Sequence, residues 1–249
     1  MSNIGCKVVT DFVRPDPKLV EAFRGMPVAN IDDNMGRTAA VHQSIRPLNK
    51  VPLVGVAFTI KVPQGDNLMF HKAMDLAKPG DVIVIDAGGF DDRSIFGELM
   101  ATYCKVRGVA GLVVDGAIRD QEALCEMDMP IYAKSTTPNG PYKNGPGEIN
   151  VPVVIGGRVV RPGDILVGDQ DGLIVIPPEQ AQEVLEKTRA TMEEEAKIME
   201  DILTKGTYIR PWVDEKLNEI GCDMLFNGNV DLRKGIFRLC ESIREEMSL

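Results

Sequence analysis

Histidine is scarce in this chain: His42 and His71 are the only two in 249 residues. A histidine-rich zinc centre is thereby excluded and a mixed Cys/His centre disfavoured. The five cysteines, Cys6, Cys104, Cys125, Cys222 and Cys240, are an odd number, widely spread, with no C-x-x-C pair. They read as reduced thiols filling core or surface. Any metal is therefore expected to be a hard ion with oxygen ligands, Mg2+ or Mn2+. No run of Lys and Arg interrupts a formal net charge of −9, and the isoelectric point is about 4.9. A phosphate backbone finds no electrostatic footprint here, so nucleic acid is not an expected partner. No stretch approaches the ~20 apolar residues of a membrane span. Met1–Thr10 lacks the basic-then-apolar layout of a signal peptide. The expectation is a soluble, cytoplasmic protein without a membrane partner. Gly88-Gly89 follows a strand-type run, but the third glycine and the acidic spacing of a dinucleotide loop are missing.

Apolar residues, by contrast, make up 44% of the chain, enough to bury a core as one domain with terminal segments appended. The chemistry concentrates in residues 97–120. Glu98 to Arg107 are mostly good helix formers, Gly108 stands where a C′ glycine would, and Val109 to Val114 is a short apolar run of strand type. A helix of about 10 residues travels roughly 15 Å, and a returning strand of about 5 travels roughly 17 Å. The loop Asp115–Asp120 is thus expected back at the level of Gly97–Met100. Glu98, Asp120, Arg119 and the free N–H groups of Leu99 and Met100 would converge there. A helix N-terminus binds anions, carboxylates bind hard cations, and Arg grips a carboxylate bidentately. Together they describe a site for a metal-bound small carboxylate. The plainer alternative is a turn at Asp115-Gly116 and a solvated Arg119–Asp120 ion pair.

Upstream, Pro17 to Gly25 reads as a short helix, Lys18–Arg24, with Pro at its start and Gly at its end. Within Val28–Arg37, Asn30-Ile-Asp-Asp-Asn-Met-Gly36 reads as a helix start, with an N-cap in its first turn preferred over a ligand role. Val51–Val62 is a strand, and Gly65-Asp-Asn-Leu68 opens a helix, Leu68–Ala77, through an Asp/Asn cap. Asp66 and Asn67 cap it or contact a ligand, and His71 on it reads as packed or partly exposed. Asp81–Asp86 is a buried-type strand, with Gly88-Gly89 after it turning the chain or walling a site. A short helix, Gln121–Met127, and a strand, Pro130–Lys134, precede a Pro/Gly-rich loop over 135–150 that is expected to cover the site or meet a neighbouring subunit. Four short strands follow, Val151–Ile155, Arg158–Val160, Ile165–Val167 and Leu173–Ile176, separated by glycine turns. Pro178–Thr204 is an acidic helix closed by Gly206, and the tail carries Trp212 and a final helix near Val230–Glu246.

Several motifs stand in an order that identifies a family. They are Gly55-Val-Ala-Phe-Thr59, Gly65-Asp-Asn-Leu68, Pro79-Gly-Asp-Val-Ile-Val-Ile-Asp86, Gly97-Glu-Leu-Met100, Arg107 through Asp120, Gly156-Gly157, Pro162-Gly-Asp164 and Gly168-Asp-Gln-Asp-Gly172. Residues 52–177 resemble the core of the RraA-like / class II pyruvate aldolase family, which includes the 4-hydroxy-4-methyl-2-oxoglutarate and 4-carboxy-4-hydroxy-2-oxoadipate aldolases. The resemblance implies an α/β fold of the swivelling β/β/α kind, a sheet or small barrel flanked by helices. It suggests a domain over 1–205 and a helical C-terminal extension over 206–249.

By the same resemblance Asp120 binds a divalent ion directly, while Glu98 and Glu195 of an adjacent subunit hold its waters, with Glu194 as the fallback for Glu195. Arg119, Gly97 and the Leu99 and Met100 amides would bind a pyruvate-like substrate. The implied reaction is retro-aldol cleavage of a 4-hydroxy-2-oxo acid to pyruvate and a second oxo acid, with oxaloacetate decarboxylation as a side activity. A homotrimer or homohexamer with sites between subunits is implied too. The family also holds non-catalytic members of the RraA type that bind and inhibit ribonuclease E and helicases, and that is the alternative reading. A keto-acid or sugar-acid lyase of different substrate is a third.

Overall fold

The computed structural model describes residues 4–223. The final helix expected near Val230–Glu246, and Cys240, lie outside the described residues. The chain divides into two compact units, Met1–Glu194 and Glu195–Leu249. In the first, strand β1 (Cys6–Val8) leads into helices α1 (Pro17–Glu21) and α2 (Val28–Asn34) and strand β2 (Arg46–Pro47). Strands and helices then alternate through β3 (Leu53–Lys61), α3 (Leu68–Leu76), β4 (Asp81–Ser94), α4 (Glu98–Val106), β5 (Gly111–Ile118), α5 (Gln121–Glu126) and β6 (Ile131–Thr136). Strand β7 (Gly147–Ile149), the hairpin β8 (Val153–Ile155) and β9 (Arg158–Val160), and the hairpin β10 (Ile165–Gly168) and β11 (Leu173–Ile176) come next. The long helix α6 (Pro178–Lys205) runs across the unit boundary, and α7 (Pro211–Glu219), absent from the sequence expectations, belongs to the second unit.

The main sheet runs β1-β7-β3-β4-β5-β6-β2. Strands β3 to β6 are parallel, as strand–helix–strand alternation demands. One edge of β3 is shared: β10 pairs antiparallel with Leu53–Val56, and β7 pairs antiparallel with Ile60 and Lys61. Period-two alternation sends successive residues of β3 to β5 to opposite faces. Phe58, Ile60, Ile83, Ile85, Leu112 and Val114 meet α3, α4 and α5 in one core. Ala57, Val82, Val84 and Val113 face the other way, onto Leu166, Leu173, Val175 and the β8–β9 hairpin. The far side of β10 and β11, with Ile165, Val167, Ile174 and Ile176, packs on α1, α2 and the buried Ala181, Val184 and Leu185 of α6. β10 and β11 join the same nine-stranded sheet through β3, so the fold is a central sheet flanked by helices, the sheet alternative of the two implied by resemblance.

Four local expectations need correction. Residues 115–118 are strand rather than loop, because buried Ala117 and Ile118 continue β5 past an irregularity between Val114 and Ala117. The strand at 81–86 extends to Ser94, with Gly88 and Gly89 at φ 65 and 68 absorbing the register shift inside it. The 135–150 segment contains β7, an interior strand. Only glycine suits position 147, where a Cβ would stand 2.6 Å from the Lys61 carbonyl oxygen. Asn30 lies inside α2 rather than capping it, and Asp169 Oδ2 accepts the Val28 N–H at 3.1 Å instead.

Candidate active site

The parallel strands β4 and β5 end side by side, and their exits are tied together. The Ile95 N–H donates to the Ala117 carbonyl at 2.8 Å, and the Arg119 N–H to the Phe96 carbonyl at 3.0 Å. Gly97 then starts α4, and Asp120 starts α5. Crevices at the carboxyl ends of parallel strands are where α/β sheets bind ligands. At its other end α4 closes with a Schellman arrangement: Gly108, at φ 80, donates to the Lys105 carbonyl and Val109 to that of Cys104. That turn returns the chain into β5, so helix, turn and strand deliver Arg119 and Asp120 to the first turn of α4 as the spacing predicts.

Asp120 sits in the left-handed region at φ 56, a conformation Asp tolerates better than most residues. There its Oδ2 accepts the Glu98 N–H at 3.0 Å and lies 3.7 Å from Arg119 Nε. Oδ1 takes no hydrogen bond from the described residues, and the side chain is 44% exposed. Gly97 is required by closeness: a Cβ there would lie 2.1 Å from Asp120 Oδ2 and 2.9 Å from Arg119 Cγ. Asp120 thus caps α4 from outside the helix, and the dipole of the helix's amino end adds positive potential at the same place.

These groups border a cavity of about 340 Å³ lined by Gly97, Leu99, Met100, Arg119 and Asp120. Asn67, His71, Gly140, Pro141 and Lys143 line it too. Glu98 is exposed on the first turn and does not line it. Glu195 is exposed on α6, and its expected partner is an adjacent subunit. The two cations, Arg119 and Lys143, suit an anionic occupant. Burial, and then the Lys143 charge, hold the His71 imidazole below its ordinary pKa.

Lys143 and Gly140 had no signal in the sequence beyond the Pro/Gly richness of their loop. Their position is set by Asp66, buried, whose Oδ1 accepts the Leu68 N–H at 2.9 Å and whose Oδ2 accepts those of Asn144 and Gly145 at 2.6 and 3.0 Å. Arg93 adds a bond to the Gly140 carbonyl at 2.8 Å and lies over the Tyr142 ring.

Among the described residues no cluster of three or more His, Cys, Asp or Glu side chains is arranged to hold a metal. A hard ion that keeps most of its water needs no such cluster. The half-exposed Asp120 carboxylate, with one oxygen uncommitted, is compatible with an ion of that kind.

The chain is thus a mixed α/β protein with a carboxylate and a guanidinium at the ends of two neighbouring parallel strands. A family model described as RraA-like, Aldolase/RraA, matches residues 28–175, and the chain belongs to that family. A Halalkalibacterium halodurans protein provisionally assigned as a 4-hydroxy-4-methyl-2-oxoglutarate aldolase is 45% identical over 171 residues, 68% of this chain and 81% of that protein. A crystal structure of a Pseudomonas syringae protein of unassigned function superposes with a TM-score of 0.71 at 25% identity, covering 79% of this chain and 98% of that one. Streptomyces coelicolor RraAS2, described as an unusual member of the RNase ES inhibitor RraA family, gives 0.65 at 29% identity, covering 75% and 100%. No helix among the described residues is long and apolar enough to cross a membrane.

Proposed function

We propose that this chain catalyses metal-dependent retro-aldol cleavage of a 4-hydroxy-2-oxo acid to pyruvate and a second oxo acid, and decarboxylates oxaloacetate as a side reaction. The observation that carries the reading is the meeting of Arg119 and Asp120 with the amino end of α4 at one cavity. Arg119 and the Leu99 and Met100 amides bind the oxygens of the pyruvate half. In the reaction the C4 hydroxyl gives up its proton, C4 becomes a carbonyl, and the C3–C4 electron pair passes into the pyruvate enolate. C3 then takes up a proton. Donors already in place where the enolate charge develops need no reorganisation, which is the main source of catalysis in such steps. A Mg2+ or Mn2+ ion would be held by Asp120 and by water, and would supply Lewis acidity. Glu98, with Glu195 of an adjacent subunit, would orient that water. Gly97 keeps the space the Asp120 carboxylate occupies.

The test is pyruvate release from 4-hydroxy-4-methyl-2-oxoglutarate and from oxaloacetate, coupled to lactate dehydrogenase, with Mg2+ or Mn2+ and again with EDTA. Release that EDTA abolishes and that Asp120→Ala lacks is the expected result. Arg119→Lys should cost at least about a hundredfold, since a point charge does not replace a planar fork. Wild-type rates in Asp120→Ala would remove the metal assignment. A second reading, a protein-binding regulator of ribonuclease activity, is supported by the likeness to RraAS2. Silence on both substrates, with tight capture of a ribonuclease, would favour it.

A further inference from the structure

Lys143 carries one of the two positive charges of the cavity lining, yet it makes no hydrogen bond or ion pair of its own with the described residues. Its neighbours hold it in place. Before it, the Tyr142 N–H donates to the Gly65 carbonyl at 2.8 Å, and the Tyr142 carbonyl accepts the Asn67 N–H at 3.0 Å. After it, Asp66 Oδ2 accepts the N–H groups of Asn144 and Gly145 at 2.6 and 3.0 Å.

Asp66 is 3% exposed and does not line the cavity. Its Oδ1 accepts the Leu68 N–H at 2.9 Å in the first turn of α3. Capping a helix takes one oxygen, and Asn or Ser supplies that as well as Asp. Burying a carboxylate is costly unless its oxygens are bonded, and no ion pair among the described residues offsets the cost here. What requires the second oxygen is the stretch after Lys143. Asp66 therefore serves the wall of the cavity as much as the helix it starts.

We propose that Asp66 is a positioning residue for substrate binding: its carboxylate fixes the backbone after Lys143 and so keeps that ammonium at the cavity, beside the bound anion. This rests on the retro-aldol reading. Arg119, Asp120 and the amino end of α4 are held by other bonds, from Ile95 N–H to Ala117, from Arg119 N–H to Phe96 and from Glu98 N–H to Asp120. None of them involves Asp66. Its loss should weaken substrate binding and spare the chemical step.

The experiment measures pyruvate release from 4-hydroxy-4-methyl-2-oxoglutarate with Mg2+ in wild type, Asp66→Asn, Lys143→Met and the double variant. Asparagine keeps one acceptor for the Leu68 N–H but turns an NH2 toward the Asn144 and Gly145 N–H groups. Asp66→Asn should raise KM about tenfold and change kcat less than about threefold, the signature of lost binding that is uniform through the reaction. Lys143→Met should raise KM at least as much. The double variant should stay within about threefold of Lys143→Met, because Asp66 acts through the lysine and the two effects do not add. If circular dichroism shows Asp66→Asn unfolded, Asp66→Ser, whose hydroxyl still caps α3, takes its place with the same expectation. An unchanged KM, a fall in kcat as large as the rise in KM, or effects that multiply in the double variant would overturn the assignment while leaving the aldolase reading intact. A wild-type protein that releases no pyruvate would overturn the aldolase reading itself, and this inference with it.

Discussion

Gly97 shows how a single missing Cβ makes a site. The residue has ordinary extended angles, φ −144 and ψ −159, so its backbone does not require glycine. Contact does, because Asp120 and Arg119 occupy the space. Gly97→Ala should therefore fold normally and lose more than about a hundredfold in kcat/KM, since displacing a catalytic group by an ångström is enough for that. Circular dichroism together with the coupled assay checks both halves. Asp164 makes the opposite point about a motif residue. Burial raises its pKa, partly offset by the N–H and charge of Arg161. A carboxyl whose folded pKa lies above the unfolded value contributes stability below the unfolded value and loses it as pH rises through the folded one. Asp164→Asn can still accept the Arg161 N–H, now made at 2.7 Å. The variant should raise Tm by about 2 °C at pH 7, and the gain should vanish at pH 3, as scanning calorimetry at the two pH values would record.

At the scale of elements, β4 is anchored at its start by an ion pair that links distant parts of the chain. Arg14 grips Asp81 with Nε–Oδ1 at 2.8 Å and Nη2–Oδ2 at 2.7 Å, and the Asp81 side chain is fully buried. Removing one partner of a buried pair strands the other. Arg14→Ala should destabilise the fold by about 3 kcal/mol, read as a lower denaturant midpoint at unchanged slope. Elements of this kind were legible in the sequence where local signals were complete. Gly108 ends α4 as its position demanded, and the apolar runs of β3, β10 and β11 fall within a residue or two of their expected limits. The signals failed where distant contacts decide. Asp115-Gly116 has turn chemistry, yet pairing with β4 and β6 holds the segment as strand. Asn30 has cap chemistry, yet Asp169 supplies the cap. Lys143 is held at the site by the bonds of its neighbours to Asp66, Gly65 and Asn67, contacts no spacing encodes.

At the scale of the molecule, the family and the layered fold followed from motif order, because turn glycines and buried strands are what the architecture fixes most tightly. The subunit arrangement belongs to the proposal. If Glu195 serves an adjacent subunit's Asp120, two inactive variants should rescue each other. Asp120→Ala and Glu195→Ala subunits, mixed after mild dissociation, would form some sites with both residues intact. Recovery toward about a quarter of wild-type activity is the expected outcome for a randomly mixed pair of subunits, and no recovery in chromatographically verified mixed oligomers would argue against a shared site.

The segment beside Arg119 looks in sequence like a flap, rich in proline and glycine. It is held at Asn139 by Ser94, at Gly140 by Arg93, and at Asn144 and Gly145 by Asp66, then passes directly into an interior strand. Moving such a wall would cost those bonds. If the site turns over a substrate as proposed, admission is expected to depend on fit to the cavity more than on the closing of a gate.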